Sequence, residues 1–328
     1  KPGAEASEVR LHVRLLDKQR LLQQESLSKL GVNLIHCCFY KNDPTEFVQS
    51  LFDQLKLGAI SVDALHFEGP AFNKFDALCL NLSLIQMGWS DAIFVNKSGS
   101  VENSGDAFWD KNIFIQRASY RPVTSTHLDI ATRGEKHFEQ EFKLKAADVM
   151  TIFEFTLDNR LKNEKVSIEE AVQKVKMILA LGLPVLITRF PLFYEMKEFI
   201  RLSSNKPLAI VIGATHLDKL FDEKFYSDLN GGLLEGMGKL MDKSTRLYIY
   251  PHKTKEICLL TKSYFPKPAV KHIYAHFIEH KYLQDIAGCD EIEEFMHSDD
   301  IIKMIKAKKT DWKKYVPAAI HALVQKMN

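Results

Sequence analysis

The feature that most constrains the fold is a repeated alternation of short apolar runs with amphipathic helical segments. The runs "AISVDALHF" (59–67) and "DAIFVN" (91–96) flank the helical pattern "KFDALCLNLSLIQMG" (74–88). The alternation returns in the second half, in the runs "VMTIFEFTL", "PVLITRF", "PLAIVIGA" and "TRLYIYPH". Strands that are apolar along their whole length are typical of parallel sheets covered by helices on both faces. The sequence therefore predicts an α/β fold with a mainly parallel sheet.

The number of candidate strands leaves two architectures open. Eight strands are predicted when "VNLIHCCFY" (32–40) is taken as the first of them. Eight strands suit a (βα)8-like barrel, but the third and fourth strands follow each other without an obvious helix. We therefore favour doubly wound, Rossmann-like halves with helices on both faces of the sheet, and keep the barrel as the alternative.

The predicted organisation has four parts. Residues 1–30 are predicted to be an N-terminal helical segment, because Leu, Gln, Arg and Lys recur at helical spacing and Gly31 follows as a terminating glycine. Residues 31–147 form the first α/β half and residues 148–255 the second. The remaining residues, 256–328, are predicted to be a helical C-terminal segment.

Composition excludes several classes of function. The net charge of +2 gives no global electrostatic reason to bind nucleic acid or an anionic membrane, so any anion site must be local. No apolar run approaches the ~18 residues that span a bilayer. The five cysteines are scattered and form no CxxC, which predicts a reducing, cytoplasmic environment and no zinc site. The oligomeric state stays open.

Polar side chains follow the predicted strands where each strand ends. In "NIFIQRASYRPVT" (112–124) a buried strand is followed by two arginines within five residues. The carboxyl ends of parallel strands share one edge of the sheet, where ligands of such folds bind. Arginine binds phosphate and carboxylate groups through two parallel hydrogen bonds. The sequence therefore predicts a site for a small anionic substrate, with these candidate binding residues: Lys97, Arg117, Arg121, Arg189, Gly213 and Lys253.

Three further residues at the strand ends are candidates for catalysis. His216 and His252 are of the type that serves as general acid or base, and Glu154 could orient or coordinate the reacting groups. Mg²⁺ shared with the phosphates of a nucleotide is compatible with this set but is not required by it. Two structural alternatives stay open. The charged residues could simply be the solvated ends of strands, and Arg189 could form a buried ion pair with Glu154.

The sequence motifs do not identify a reaction type. "VIGATHLDKL" (211–220) places a glycine between a strand and a helix, but it is neither GxGxxG nor a P-loop. No GxSxG motif is present. His137 and Glu141 are one helical turn apart, and we interpret them as part of a solvated helix face. His272, His276 and His280 are likewise interpreted as a surface stripe beside a buried one.

Several segments together resemble a bacterial α/β family, some of whose members are labelled nicotinate/nicotinamide-nucleotide adenylyltransferase-like. They include "PVLITRFPLFYEMKEFIRL", "FDALCLNLSLIQMGWSDAIFVN", "RASYRPVTSTHLDI" and "AVKHIYAHFIEHKYLQDI", and the resemblance covers residues 32 to about 320. It implies an α/β protein. The nucleotidylyltransferase signature G-x-F-x-P-x-H-x-G-H is missing, because "GPAFNKFDAL" (69–78) contains neither histidine. No catalytic residue is therefore carried over from the family.

The leading hypothesis is an intracellular enzyme that acts on a phosphorylated or nucleotide-like small molecule, a transferase of nucleotidyl or similar type. Two alternatives come from other classes. One is a non-catalytic module that binds a ligand or a protein on a degenerate enzyme fold, which is consistent with the missing signature. The other is a (βα)8 lyase or hydrolase. Turnover separates the first two hypotheses, and the strand order separates the third.

Overall fold

The computed structural model describes residues 5–159, 164–293, 296 and 298–326. The strands are β1 (Glu8–Leu15), β2 (Ile60–Glu68), β3 (Ala92–Val95), β4 (Val101–Glu102), β5 (Asn112–Arg117), β6 (Val149–Thr156), β7 (Asp158–Asn159), β8 (Glu164–Lys165), β9 (Val185–Thr188), β10 (Leu208–Gly213), β11 (Thr245–Tyr250), β12 (His252–Lys253), β13 (Cys258–Leu259) and β14 (Leu283–Asp285). The helices are α1 (Arg20–Tyr40), α2 (Pro44–Leu51), α3 (Ala77–Met87), α4 (Ser104–Ala107), α5 (Ser125–Phe142), α6 (Ile168–Ala180), α7 (Phe193–Arg201), α8 (Leu217–Leu220), α9 (Gly232–Leu240), α10 (Lys271–Glu279), α11 (Ser298–Lys306) and α12 (His321–Val324).

The main sheet has eight strands in the order β14-β11-β10-β5-β6-β9-β3-β4. The pairs β5–β6, β5–β10, β10–β11 and β11–β14 are parallel, whereas the short edge strand β4 is antiparallel to β3. The predicted α/β class with a mainly parallel sheet is therefore confirmed. The order begins at β14 and ends at β4, so the sheet is open, and the barrel alternative is wrong for the chain as described.

The first predicted strand is wrong. Residues 32–40 belong to α1, which continues through Gly31 to Tyr40. Leu30, Leu34 and Cys37 recur at helical spacing and pack into the core. The segment was interpreted as a buried strand because its other residues are also apolar, and this hides the helical period. Within this helix Cys37 is buried and Cys38 is exposed.

The predicted N-terminal helix is also wrong in its first part. Residues 8–15 form β1, which pairs with β2 antiparallel in a separate two-stranded sheet. In β1 the odd-numbered residues from Val9 to Leu15 pack on the core, so the segment alternates with the period of a strand. The antiparallel pairing also places β2 outside the main parallel sheet.

The C-terminal segment 256–328 is helical only in part. α10 and α11 lie where helices are predicted, but β14 follows α10 and adds a parallel strand beside β11. Three residues, Leu283–Asp285, are too few for a period to be recognised in the sequence. Strand pairing with β11 is what makes this segment a strand.

The chain divides into two compact units. The first contains Lys1–Ala107, Thr156–Gln173 and Leu186–Phe190. The second contains Phe108–Phe155, Lys174–Val185 and Pro191–Asn328. Within the described residues of both units, no helix has the length and apolar character needed to cross a membrane.

Two of the five cysteines are bonded to each other. In the second unit a disulfide joins Cys258, in β13, to Cys289, while Cys37, Cys38 and Cys79 are free thiols. Disulfides are typical of oxidising compartments and rare in the cytosol. This pair therefore argues against the reducing environment that the cysteine spacing predicts.

Candidate functional site

The strand order of the second unit contains a point where the chain connections diverge. After β5 the chain crosses to β6 on one side, and after β10 it crosses to β11 on the other side. β5 and β10 are themselves neighbours, with Gln116 opposite Val211. In open α/β sheets, ligands bind in the crevice at the carboxyl ends of such a strand pair. We call the carboxyl ends of β5 and β10, with the loops that follow them, the switch point.

Helices from the β5–β6 and β10–β11 connections cover opposite faces of the sheet. α5 follows β5 and packs on the face of Phe114, whose ring lies directly against Gly134. Arg117, three residues further along β5, points to the other face and contacts Met196 of α7. β10 is followed by the short helix α8 and then by α9, which packs beside α7, where Lys197 Nζ donates to Lys239 O at 2.8 Å. The two loops thus leave the sheet in opposite directions.

The topology brings four of the predicted site residues to the switch point. Arg117 ends β5, and Arg121 lies in the loop that connects β5 to α5. Gly213 ends β10, and His216 lies in the 3-10 turn that follows. Arg121 and His216 are exposed, while Arg117 and Gly213 are partly buried.

Arg117 is held by a buried carboxylate. Its Nε and Nη2 donate to Glu154 Oε2 and Oε1 at 2.5 and 3.1 Å, and its Nη1 donates to Pro191 O at 3.4 Å. The two residues are direct partners across the β5–β6 pair, and the Glu154 side chain is fully buried. The guanidinium also lies 5.0 Å from the centre of the Phe193 ring. The pair of N–H donors with which Arg117 could bind a phosphate is therefore already hydrogen-bonded to Glu154.

The ion pair considered for Arg189 is formed by a different arginine. Glu154 pairs with Arg117, whereas Arg189 Nη1 donates to Gly88 O at 3.3 Å within the first unit. Lys97 follows β3 in the same unit and is exposed. Binding roles for Arg189 and Lys97 stay predictions.

His252 and Lys253 follow β11, the strand beyond β10. Lys253 Nζ donates to the carbonyl oxygens of Cys289 and Ile292 at 2.8 and 3.0 Å, so it ties the disulfide segment to the sheet. His252 is half-buried in β12, where it pairs with Leu259 of β13. Their predicted roles in binding and catalysis are likewise untested.

The sequence pattern did not single out Gln116, although it lies at the switch point. Gln116 is 2% exposed, and neither atom of its side-chain amide has a hydrogen-bond partner within the described residues. Its side chain shares the face of Phe114, below α5. Tyr120, which is fully buried, donates its hydroxyl to Gln116 O at 2.7 Å. A polar residue inside the apolar run "NIFIQ" was the signal that could have drawn attention to this position.

The N-terminus of α5 is closed by a threonine and a histidine. Thr124 Oγ1 accepts a hydrogen bond from the His127 backbone, and Thr124 N donates to His127 Nδ1 at 2.9 Å. This is a capping box in which histidine takes the place of glutamate or glutamine. Burial lowers the pKa of His127 to about 4. The accepting Nδ1 must also be unprotonated, so the cap needs a neutral imidazole.

Acid is expected to weaken this cap. Because the folded-state pKa of His127 lies below its ordinary value of 6.5, its contribution is complete above pH 6.5 and is lost as the pH falls towards about 4. We expect a loss of about 1–2 kcal/mol, allowing for screening by water. Urea unfolding from pH 7.5 to 4 checks this, with His127→Gln as the control. Glutamine keeps the capping geometry without titrating, and equal pH dependence in both proteins would contradict the assignment.

Metal-ligating side chains are not clustered in the described part of the chain. No group of three or more His, Cys, Asp or Glu side chains there could hold a metal ion. The expected solvated face of α5 is wrong, since Glu141 accepts hydrogen bonds from Arg246, Tyr248 and Gln284 on the sheet. His272 and His276 of α10 are exposed, as is His280 directly after it, which is expected for a surface stripe.

Of three comparisons with known proteins, the one with solved structures gave matches. No family model matches the chain, and no curated protein matches it. Among solved structures, it is similar to Plasmodium falciparum nicotinic acid mononucleotide adenylyltransferase complexed with APC, at 15% identity and a TM-score of 0.38. That match covers 66% of this chain and 93% of the other. The likeness is too distant to bear on activity.

Proposed function

We propose that the switch point binds a phosphorylated or nucleotide-like small molecule and that the protein is a transferase of nucleotidyl or similar type. The observation that carries this proposal is the divergence of the chain after β5 and β10, two adjacent parallel strands. A crevice at the carboxyl ends of such strands is the usual ligand site of open α/β sheets. The proposal places the substrate between the β5 loop and the β10 loop.

The residue types in the two loops suit an anionic ligand. Arg121 and His216 are exposed and come from different strands, so both could reach one ligand from opposite sides of the crevice. Gly213 ends β10, and a backbone without a side chain allows a ligand to approach closely. Arginine supplies a planar pair of donors to a phosphate group. These residues would provide the charge and the donors, and Gly213 the space.

The proposed chemistry is the transfer of a nucleotidyl group between phosphates or to a hydroxyl group. Charge builds up on the phosphate oxygens in such transfers, and fixed cationic donors stabilise it. Arg121 would serve in this way, and His216 could donate a proton to the leaving group. Mg²⁺ would enter with the nucleotide, bound largely by its phosphates. Glu154 would act through Arg117, since its carboxylate is buried in their ion pair.

A non-catalytic binding protein is the second candidate, and one observation favours it. Arg117 and Glu154 neutralise each other, so neither is available as a free acid, base or phosphate ligand in this conformation. Ligand binding without turnover would then be the function. Incubation with ATP, Mg²⁺ and nicotinamide mononucleotide, followed by detection of pyrophosphate, separates the two candidates.

Ligand binding at the switch point is tested by thermal unfolding with ATP, pyrophosphate or nicotinamide mononucleotide, each with and without Mg²⁺. A ligand present at 100 times its Kd stabilises the folded state by about 2.7 kcal/mol. Arg121→Ala and His216→Asn are expected to weaken binding at least tenfold. The control is Lys111→Ala, which removes an exposed cation at the opposite, amino end of β5. Equal weakening by the control variant, or stabilisation by none of the ligands, would contradict the proposal.

The same assay tests the remaining candidate residues. If Lys97, Arg189, His252 or Lys253 contacts the ligand, its alanine variant should weaken binding without lowering the stability of the ligand-free protein. A loss of stability alone is expected for Lys253→Ala, because Lys253 Nζ binds two backbone carbonyls.

A further inference from the structure

Helix α1 of the first unit is apolar on two opposite sides. Its inner side packs on the core of that unit through Leu30, Leu34 and Cys37. On its outer side Leu21, Val32, Ile35 and Phe39 are 73%, 67%, 63% and 77% exposed. At 100° per residue these four side chains lie within an arc of about 60°, and Val32 is about 200° from Leu30. We call these four residues the outer stripe.

The outer stripe is an unusual surface for a protein in water. Leu22 and Tyr40 flank it and are also exposed. Scattered apolar residues need no explanation on a surface, but a contiguous apolar patch along a helix indicates a site of interaction. Nothing in the described part of the chain covers the stripe. Its occupant therefore has to come from outside the described residues.

We propose that the outer stripe is an interface between two copies of this chain, formed by an antiparallel pair of α1 helices. The distribution of apolar residues along α1 supports a second copy as the occupant. Leu21 and Leu22 lie at one end, and Phe39 and Tyr40 lie at the other. A twofold axis midway along α1 places each leucine pair against the aromatic pair of the second copy. The stripe is thus complementary to itself in the antiparallel direction.

The polar middle of α1 fits the same arrangement. Glu25 and Lys29 form an ion pair of 2.7 Å on the outer side, between the two apolar ends. With the axis between residues 30 and 31, Glu25 lies opposite His36 of the second copy, a partner that can donate a hydrogen bond to it. Ser28 near the axis is small and lets the helices approach closely.

The surface area that the outer stripe could bury in a dimer is suited to reversible association. An aromatic side chain buries roughly 150–250 Å² when it is covered, and the outer stripe with its flanks contains two of them beside four aliphatic side chains. Each copy could therefore bury several hundred Å², near the lower limit of specific interfaces, which is about 600 Å² per partner. We expect a dimer with a dissociation constant in the micromolar range.

Sedimentation velocity of the whole chain between about 1 and 100 µM tests the association. The wild type is expected to change from monomer to dimer over this range, and Ile35→Glu is expected to weaken the dimer at least tenfold, because the interface would bury an unpaired charge. Leu27→Glu is the matched control. Leu27 is exposed on the same helix but lies about 80° from Ile35, on the side of the stripe opposite to Leu22 and Tyr40, so this variant should weaken the dimer far less than Ile35→Glu. Circular dichroism confirms that both variants fold.

Cross-linking tests the direction of the helices. In a Cys38→Ser background, which removes the exposed native thiol of α1, Val32→Cys should form an intermolecular disulfide on mild oxidation with glutathione disulfide. In an antiparallel pair the two copies of residue 32 lie about 4.5 Å apart along the axis, whereas the two copies of residue 39 lie about 25 Å apart. Phe39→Cys should therefore remain uncrosslinked.

Three results would overturn the proposal. The first is a wild type that stays monomeric at 100 µM. The second is equal weakening of the dimer by Ile35→Glu and Leu27→Glu, which would place the interface elsewhere. The third is cross-linking of Phe39→Cys together with Val32→Cys, which would indicate parallel helices. A monomer that sediments with vesicles of phosphatidylcholine and phosphatidylserine would identify a membrane surface as the occupant instead.

Discussion

Arg117→Ala is expected to lower the free energy of unfolding by about 3–5 kcal/mol, because it removes the guanidinium that donates two hydrogen bonds to the buried carboxylate of Glu154. The Glu154 side chain is fully buried and that of Arg117 is 12% exposed, so the ion pair has little contact with bulk water. Urea unfolding of the wild type and the variant measures the difference. A change below about 1 kcal/mol would mean that Glu154 is stabilised mainly by other groups.

A double variant separates the effect of breaking the ion pair from the effect of removing side-chain volume. Arg117→Met combined with Glu154→Met removes both charges and keeps similar volumes, and it should recover much of the stability lost in Arg117→Ala. The matched control is Arg10→Ala, which breaks the exposed ion pair between Arg10 and Glu68. Exposed pairs contribute about 0–1 kcal/mol. A double variant that is less stable than Arg117→Ala would contradict an electrostatic origin of the effect.

Gly134→Ala is expected to destabilise the second unit by about 1–3 kcal/mol through overpacking. An added Cβ at Gly134 would lie 2.4 Å from Cζ and 2.7 Å from Cε2 of Phe114. Phe114 is fully buried, so its ring cannot move aside without disturbing the core between α5 and the sheet. The loss is expected although alanine is the better helix former by about 1 kcal/mol. Thermal unfolding measures it.

A second glycine provides the control for helix propensity. Gly31 also lies inside a helix, but an added Cβ there meets no atom within 4 Å. Gly31→Ala should therefore stabilise the protein by about 0.5–1 kcal/mol. Phe114→Leu combined with Gly134→Ala should be more stable than expected from the sum of the two single changes. Opposite signs are expected for the two glycines, because both variants gain helix propensity but only Gly134→Ala forces a Cβ against Phe114. Stabilisation by both variants would contradict the close contact at Phe114.

The helices and strands of the main sheet could be predicted where local signals agree. α3 is capped at its start by Asp76, whose carboxylate accepts a hydrogen bond from Cys79 N, and at its end by Gly88, which lies in the left-handed region. Both signals lie within a few residues of the helix and can be recognised in the sequence. The same holds for β5, whose continuous apolar run reflects burial on both faces.

Local signals are misleading where a segment has two apolar faces. Residues 32–40 have the composition of a buried strand, and only packing on the core makes them part of a helix. The outer stripe is what removes the helical period from the pattern. If the stripe binds a second copy of the chain, the ambiguity in the sequence reflects two real interfaces on one helix.

The sequence by itself determined that this protein is an open or closed α/β fold with polar residues at the strand ends. It could do so because burial, capping and strand alternation depend on neighbours within about ten residues. Only the tertiary structure decided that β10 lies beside β5, which places the switch point, and that Glu154 pairs with Arg117 rather than with Arg189. Strand order joins residues almost a hundred positions apart. No local pattern contains that information, because the pairing energy depends on which surfaces meet after the chain has folded.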